Sequence, residues 1–232
     1  FEVLGTSWNV AALLDQVVAS EPAANALIDC GALVTGMSNF EVAQYLVDRL
    51  ADHLQGVVYL DDAHRKKILV RGTPDPLDLE RCGLPVEKRF TFFDQVHTTG
   101  MDIPQAASAI AVLTLGKDLT FRDYAQAAYR MRGISKGQTI VIFVTPEVRL
   151  LLTKQAACGR GVTGEGREAQ LSSMAERERL MAQLEDTSSW LMINSMKTEK
   201  VQFELWCAQC AHNVWRKRAH AGLKRIAGTD IS

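Results

Sequence analysis

The chain has 232 residues, 47% of them hydrophobic and 23% charged, with a formal net charge of -1. That length is enough for a full hydrophobic core, and the near-zero charge argues against a global electrostatic pull toward nucleic acid or membrane. No apolar run approaches the roughly 20 residues that cross a bilayer, and five scattered cysteines argue for a reducing, intracellular compartment rather than a disulfide framework.

The chain opens on Phe1 rather than Met and reads as a fragment of a longer protein. Residues 1–23 form a lead-in predicted to be helical. "NALIDCGALV" (25–34) is a short apolar run closed by glycine and small residues, a buried strand. "SNFEVAQYLVDRL" then starts a helix, with Ser38 as N-cap and Glu41 completing a capping box. "GVVYLDD" (56–62) and "KKILVRG" (66–72) are predicted strands, and the proline-bearing stretch 73–88 a loop. "KRFTFFD" is a strand leading into "FFDQVHTTGMDIPQ", followed by the buried strand "AIAVLTL" (109–115). "TFRDYAQAAYRMRG" is a helix capped by Thr120 and closed by Gly133, and "QTIVIFV" (138–144) a last strand stopped by Pro146.

Strands separated by helical runs imply an α/β unit with a largely parallel sheet over 24–155. Residues 156–167 contain "CGRGVTGEG" and read as a Gly-rich linker. A helical extension over 168–232 follows, with helices at about 168–186 and 198–220. Phe203, Trp206, Cys207, Cys210 and Val214 share one stripe of the second helix, which places both cysteines on a buried face as small hydrophobes. "CAQCAH" lacks the second ligand pair that a zinc site needs, so no metal is expected to bind this chain alone. The cations of "WRKRAHAGLKR" suit a helix C-terminus.

In α/β sheets ligands gather at the carboxyl ends of the strands. "FDQVHTTGMD" stands at such an end and concentrates Asp94, His97, Thr98, Thr99 and Asp102 around Gly100. "VVYLDDAH" imitates a strand-plus-DEAH signature, but no phosphate loop accompanies it, so Asp61 and Asp62 read as strand-end carboxylates. A His97–Asp102 hydrolytic dyad lacks a Gly-x-Ser-x-Gly elbow to serve it.

Over residues 26–144 the order of segments resembles the second RecA-like lobe of superfamily 2 helicases. The resemblance rests on "FDQVHTTGMDI" after a strand and on "QAAYRMRG" in the following helix. It implies a RecA-like lobe followed by a helical extension. His97, Thr98, Thr99 and Gly100 would couple to a bound polymer, nucleic acid or a polypeptide; Asp102, Gln126, Arg130 and Arg132 would face nucleotide. ATP and Mg would be shared with an upstream RecA-like lobe missing from this chain. The helicase pattern has glycine before Arg130 and arginine three residues after it; here stand Tyr129 and Gly133, with Arg132 displaced by one.

A longer resemblance is carried by "ALIDCGALVTGMSNFEVAQYL", "RFTFFDQVHTTGMDIPQ", "LTLGKDLTFRDYAQAAYRMRGISKGQTI" and "WLMINSMKTEKVQFELW". These segments are similar to the C-terminal part of very large proteins of fungi and protists labelled ubiquitin thioesterases. That resemblance implies, as an alternative, part of a deubiquitinating thiol hydrolase with ubiquitin as partner, although no cysteine here matches a catalytic position. A catalytically silent interaction scaffold is a third expectation.

Overall fold

The structure, a computed structural model, describes residues 1–228. Residues 229–232 of the expected extension lie outside the described residues. The elements run β1 (Glu2–Val3), α1 (Val10–Val18), β2 (Ala26–Ile28), α2 (Asn39–Val47), β3 (Gly56–Leu60), β4 (Lys66–Val70) and β5 (Leu77–Asp78). Then come β6 (Arg89–Phe93), β7 (Ile110–Leu115), α3 (Phe121–Ala128), β8 (Thr139–Val144), α4 (Pro146–Gly159), α5 (Gly164–Ser173) and α6 (Glu176–Ala227).

All eight strands form one sheet in the order β1-β8-β7-β2-β6-β3-β4-β5. It is parallel from β1 to β3, while β4 and β5 append an antiparallel edge. The α/β class, the mostly parallel sheet and the helical C-terminal extension are those expected from the sequence. Strand periodicity divides the core into two layers. Leu27, Val57, Tyr59, Phe90, Phe92 and Val112 face α1 and α2; Ile28, Val58, Leu60, Phe93 and Leu113 face the side covered by α3, α4 and α6. Helices on both faces leave the central strands without a wet side, which is why they read as continuous apolar runs.

Local chemistry sets the helix starts. Ser38 and Glu41 form the expected capping box, and Thr120 makes a second one with Asp123. The lead-in contains β1 as well as the expected helix α1, and the loop 73–88 contains β5 and two 3-10 turns.

Pro146 does more than end β8. It occupies the first turn of α4, where its missing N–H costs nothing, and Thr145 Oγ1 accepts from Val148 N at 3.2 Å. The stretch 156–167 is therefore largely helical rather than a linker: α4 runs to Gly159 and α5 begins at Gly164, capped by Thr163. The two helices expected at about 168–186 and 198–220 divide elsewhere: α5 ends at Ser173, and α6 is one helix of 52 residues that spans the expected gap.

Buried charge ties these helices together. Arg167 on α5 and Asp186 on α6 are 2% and 3% exposed, with Arg167 Nε donating to Asp186 Oδ2 at 2.8 Å. Arg160 Nη2 donates to the other carboxylate oxygen at 3.0 Å. Trp190 and Leu191 then bury the first half of α6 against the α/β body, and Asn194 Nδ2 donates to Leu119 O at 3.1 Å. Beyond Ser195 the helix leaves the body: residues 196–228 are exposed except for Gly222. Cys207 and Cys210 are exposed, contrary to the buried face expected of them, because among the described residues nothing covers this part of α6.

Candidate functional site

Chain order places a cleft at the carboxyl end of β2. From β2 the chain passes through α2 to β3 on one side; it later crosses to β7 on the other side, and through α3 to β8. Connections that diverge in this way open a crevice at the switch point. The cleft there has a volume of about 550 Å³ and is lined by Cys30, Gly31, Gln95, Thr98, Thr99 and Lys117, among others.

Two glycines make its floor. A Cβ on Gly31 would lie 2.7 Å from Gly116 N, and one on Gly116 would lie 2.8 Å from Gly31 O. Any side chain at either position would push β2 and β7 apart. Thr114 Oγ1 donates to Asp29 Oδ1 at 2.7 Å and accepts from Gly31 N at 3.0 Å. Asp29 also accepts from Leu33 N and Val34 N, each at 2.9 Å, so one 2%-exposed carboxylate shapes the loop after β2. Burial raises its pKa above the ordinary carboxylate value, against the lowering effect of these hydrogen bonds.

The segment after β6 divides by direction. Gln95, Thr98 and Thr99 face the cleft, and Thr98 Oγ1 donates to Gln95 O at 2.9 Å. Gly100 takes φ 77°, the left-handed conformation that glycine adopts without strain. His97 is buried and turns elsewhere: its Nδ1 bonds Asp94 Oδ1, while its Nε2 lies 2.8 Å from His64 Nδ1. The partner carboxylate is therefore Asp94, not the Asp102 of the dyad considered from sequence. His64 reaches it from the β3–β4 turn with φ 58°, in a turn held by Asp61, whose Oδ1 accepts from Ala63 N and Arg65 N. Asp61 thus serves the turn itself, as a strand-end carboxylate should.

Of the remaining expected site residues, Asp102 lies further along the same segment, Gln126 on α3, and Arg130 and Arg132 just after α3. Arg130 is 8% exposed; its Nη1 donates to Met101 O and its Nε to Gln126 O at 3.4 Å. Desolvation, followed by the nearby Arg132 charge, lowers its pKa from the ordinary guanidinium value. Arg132 is exposed, with Nε 3.5 Å from Asp102 Oδ1. Gln126 is exposed on α3. Of the four nucleotide-facing candidates, Asp102, Gln126 and Arg132 are accessible, and Arg130 is occupied by main-chain carbonyls.

Asp29, His64 and Lys117 were missed as site residues, and Asp94, present in the candidate cluster, was given no partner. The signal for Asp29 was present, a lone acid at the end of the apolar run "ALID". For His64 there was none, because 33 residues separate it from His97.

The cysteines are dispersed. Cys30 touches the cleft, but burial, followed by Asp123 and Asp29, pushes its thiol up to about 12, and its Sγ lies 3.7 Å from Asp123 O. Cys158, Cys207 and Cys210 are exposed, and both nitrogens of the buried His97 are already engaged by Asp94 and His64. Among the described residues no group of three or more His, Cys, Asp or Glu could hold a metal ion, and no helix is long and apolar enough to cross a membrane. No protein-family model, curated protein or solved structure matches the chain.

Proposed function

We propose that the chain is the second lobe of an ATP-dependent or ATP-sensing helicase-like module that works with a first lobe supplying the phosphate loop. The observation that carries this reading is the continuity of residues 98–102. Thr98 and Thr99 line the switch-point cleft, Met101 is bonded to Arg130, and Asp102 lies against Arg132. One short segment thus links a ligand-sized cleft to an exposed arginine. A nucleotide arriving at one end would be felt at the other.

The accessible residues fit a half-site for nucleotide. Arg132 and Asp102 are 51% and 62% exposed in their side chains, so their ion pair contributes little, on the order of 0–1 kcal/mol. Arg132 is free to exchange Asp102 for a phosphate, and Gln126 on α3 is exposed as well. Bound ATP and Mg would supply the phosphoryl group and the charge neutralisation; Arg132 would stabilise negative charge developing on the transferred group. Arg130 acts as a positioning residue that fixes the 101–102 backbone.

A thiol-hydrolase reading finds less support. Its nucleophile must ionise near neutral pH beside a base, and Cys30, the one cysteine lining the cleft, is held as a thiol.

The test is ATP turnover by a protein containing both lobes. Arg132→Ala is expected to lower kcat about tenfold or more without changing the melting temperature. Equal turnover in wild type and variant would remove the nucleotide role.

A further inference from the structure

We propose that His64 is a phosphoryl-acceptor site, its Nε2 made nucleophilic by a proton relay through His97 to Asp94. His64 closes "VVYLDDAH" in the β3–β4 turn and is the exposed end of a line of three side chains. Its Nδ1 lies 2.8 Å from Nε2 of His97, and Nδ1 of His97 bonds Asp94 Oδ1. Among the described residues no hydrogen bond engages Nε2 of His64.

The line is fixed at both ends. His97 is 6% exposed and has both ring nitrogens engaged, so its ring is pinned between the carboxylate and the outer histidine. His64 takes φ 58°, a left-handed backbone uncommon for a residue with a side chain and kept only where the surroundings impose it. Here the turn imposes it. Asp61 Oδ1 accepts from Ala63 N at 3.0 Å and from Arg65 N at 2.8 Å, and His64 N donates to Asp61 O at 2.8 Å. Because β3 and β6 are parallel neighbours, this turn and the Asp94–His97 segment emerge at the same end of the sheet.

Such a line can take up one proton without breaking. With Asp94 ionised and both rings neutral, His64 holds its proton on Nδ1 and presents the lone pair of Nε2. When Nε2 attacks phosphorus, an N–P bond forms. The bond from phosphorus to the donor's leaving group breaks, and the leaving group takes the electron pair. The ring of His64 becomes cationic, and its Nδ1 proton passes to Nε2 of His97. The positive charge then rests on His97, whose Nδ1–H faces the Asp94 carboxylate. A carboxylate plays this part beside an imidazole in nucleophilic catalysis; here a second imidazole is interposed. His64 alone touches the donor, and His97 and Asp94 are positioning residues.

The charges of the turn suit a phosphoryl dianion. Around His64 stand Asp61, Asp62 and Arg65 of its own turn, Lys66 and Lys67 opening β4, and Asp94 across the line. Lys67 is taken by Asp78. Arg65 pairs with Asp61 but its side chain is 66% exposed, so its guanidinium can turn to an incoming phosphoryl group while Asp61 keeps its backbone donors. Arg65 and Lys66 thus stand against one carboxylate, Asp62, that holds no turn.

The experiment uses the full 232-residue chain and phosphoramidate as donor, whose P–N bond breaks with release of ammonia. The exposed His53, His212 and His220 serve as references within the same molecule, and their labelling cancels the donor's own ionisation. Phosphorus NMR and peptide mass spectrometry at about pH 8 are expected to find His64 phosphorylated on Nε2, about tenfold or more faster than any reference. His64→Gln is expected to lose this label and to keep those of the references. Asp94→Asn retains an acceptor for Nδ1–H of His97, so the ring stays oriented while the charge is lost. In that variant the ratio of His64 to reference labelling is expected to fall about tenfold. Its pH midpoint moves down, because no carboxylate now favours the protonated relay. Labelling of His64 no faster than the references, or on Nδ1, would overturn the proposal. So would an Asp94→Asn ratio and midpoint equal to those of wild type.

Discussion

His64 Nδ1 lies 2.8 Å from His97 Nε2, and His97 Nδ1 in turn bonds Asp94 Oδ1. The carboxylate only accepts, so with neutral rings the network assigns the protons in sequence. His97 carries its proton on Nδ1 and accepts at Nε2; His64 donates from Nδ1 and leaves its Nε2 bare toward solvent. The chain of bonds fastens the β3–β4 turn to the segment that lines the cleft. Long-range proton–nitrogen NMR near pH 8 is expected to show both rings as Nδ1–H tautomers. Detection of His97 as the Nε2–H tautomer would contradict the assignment.

Asp29 is expected to be the most sensitive polar position of the cleft floor. Asp29→Ala leaves the buried Thr114 hydroxyl and the N–H groups of Leu33 and Val34 without their acceptor. Losing such partners costs about 1–3 kcal/mol, readable as a lower urea midpoint at unchanged slope. The pH dependence has a defined sign. Because burial raises the folded-state pKa of Asp29, its contribution is full below the unfolded value of about 3.9 and declines as pH rises through the folded value.

The Arg167–Asp186 pair should behave as a buried couple rather than as two separate residues. Asp186→Ala strands a guanidinium that is 2% exposed, at a cost of about 3–5 kcal/mol. Arg167→Met combined with Asp186→Leu is expected to recover most of that loss. Chemical denaturation of the two variants measures it, and equal destabilisation of single and double variants would refute the coupling.

Cysteine alkylation should divide the thiols by burial. Cys30, pushed up to about 12, is expected to resist iodoacetamide in the native chain at about pH 8.5, while Cys158, Cys207 and Cys210 are modified. Peptide mass spectrometry reads the pattern. Raising the pH costs stability here, because an unfolded thiol ionises near 8.5 while the folded one stays neutral. The contribution of Cys30 is full below that value and is lost as pH climbs toward about 12.

The sequence by itself determined six of the eight strands, the class of fold and two helix starts, because those depend on neighbours within a few residues. Buried parallel strands must be apolar on both faces, so "ALI", "GVVYL" and "IAVLTL" are legible as strands wherever they stand. Ser38 with Glu41 and Thr120 with Asp123 close capping boxes over three residues. The same local logic failed where one signal has two meanings. Pro146 after an apolar strand reads as a stop, although proline is equally suited to the first turn of a helix. Glycines at 159, 161, 164 and 166 read as a linker, yet packing of α4, α5 and α6 around Asp186 makes most of the region helical.

Only the tertiary structure decided which groups meet. His64 and His97 are joined by the turn of one hairpin and the end of another strand, and Arg130 reaches Met101 from 29 residues away. Sheet order creates such meetings, and no spacing rule encodes them. Burial of the second half of α6 was undecidable for the same reason. An apolar stripe on a helix states that something must cover it; whether the cover is the chain's own body depends on where that helix points. Here it points away, and Phe203, Cys207 and Cys210 remain exposed.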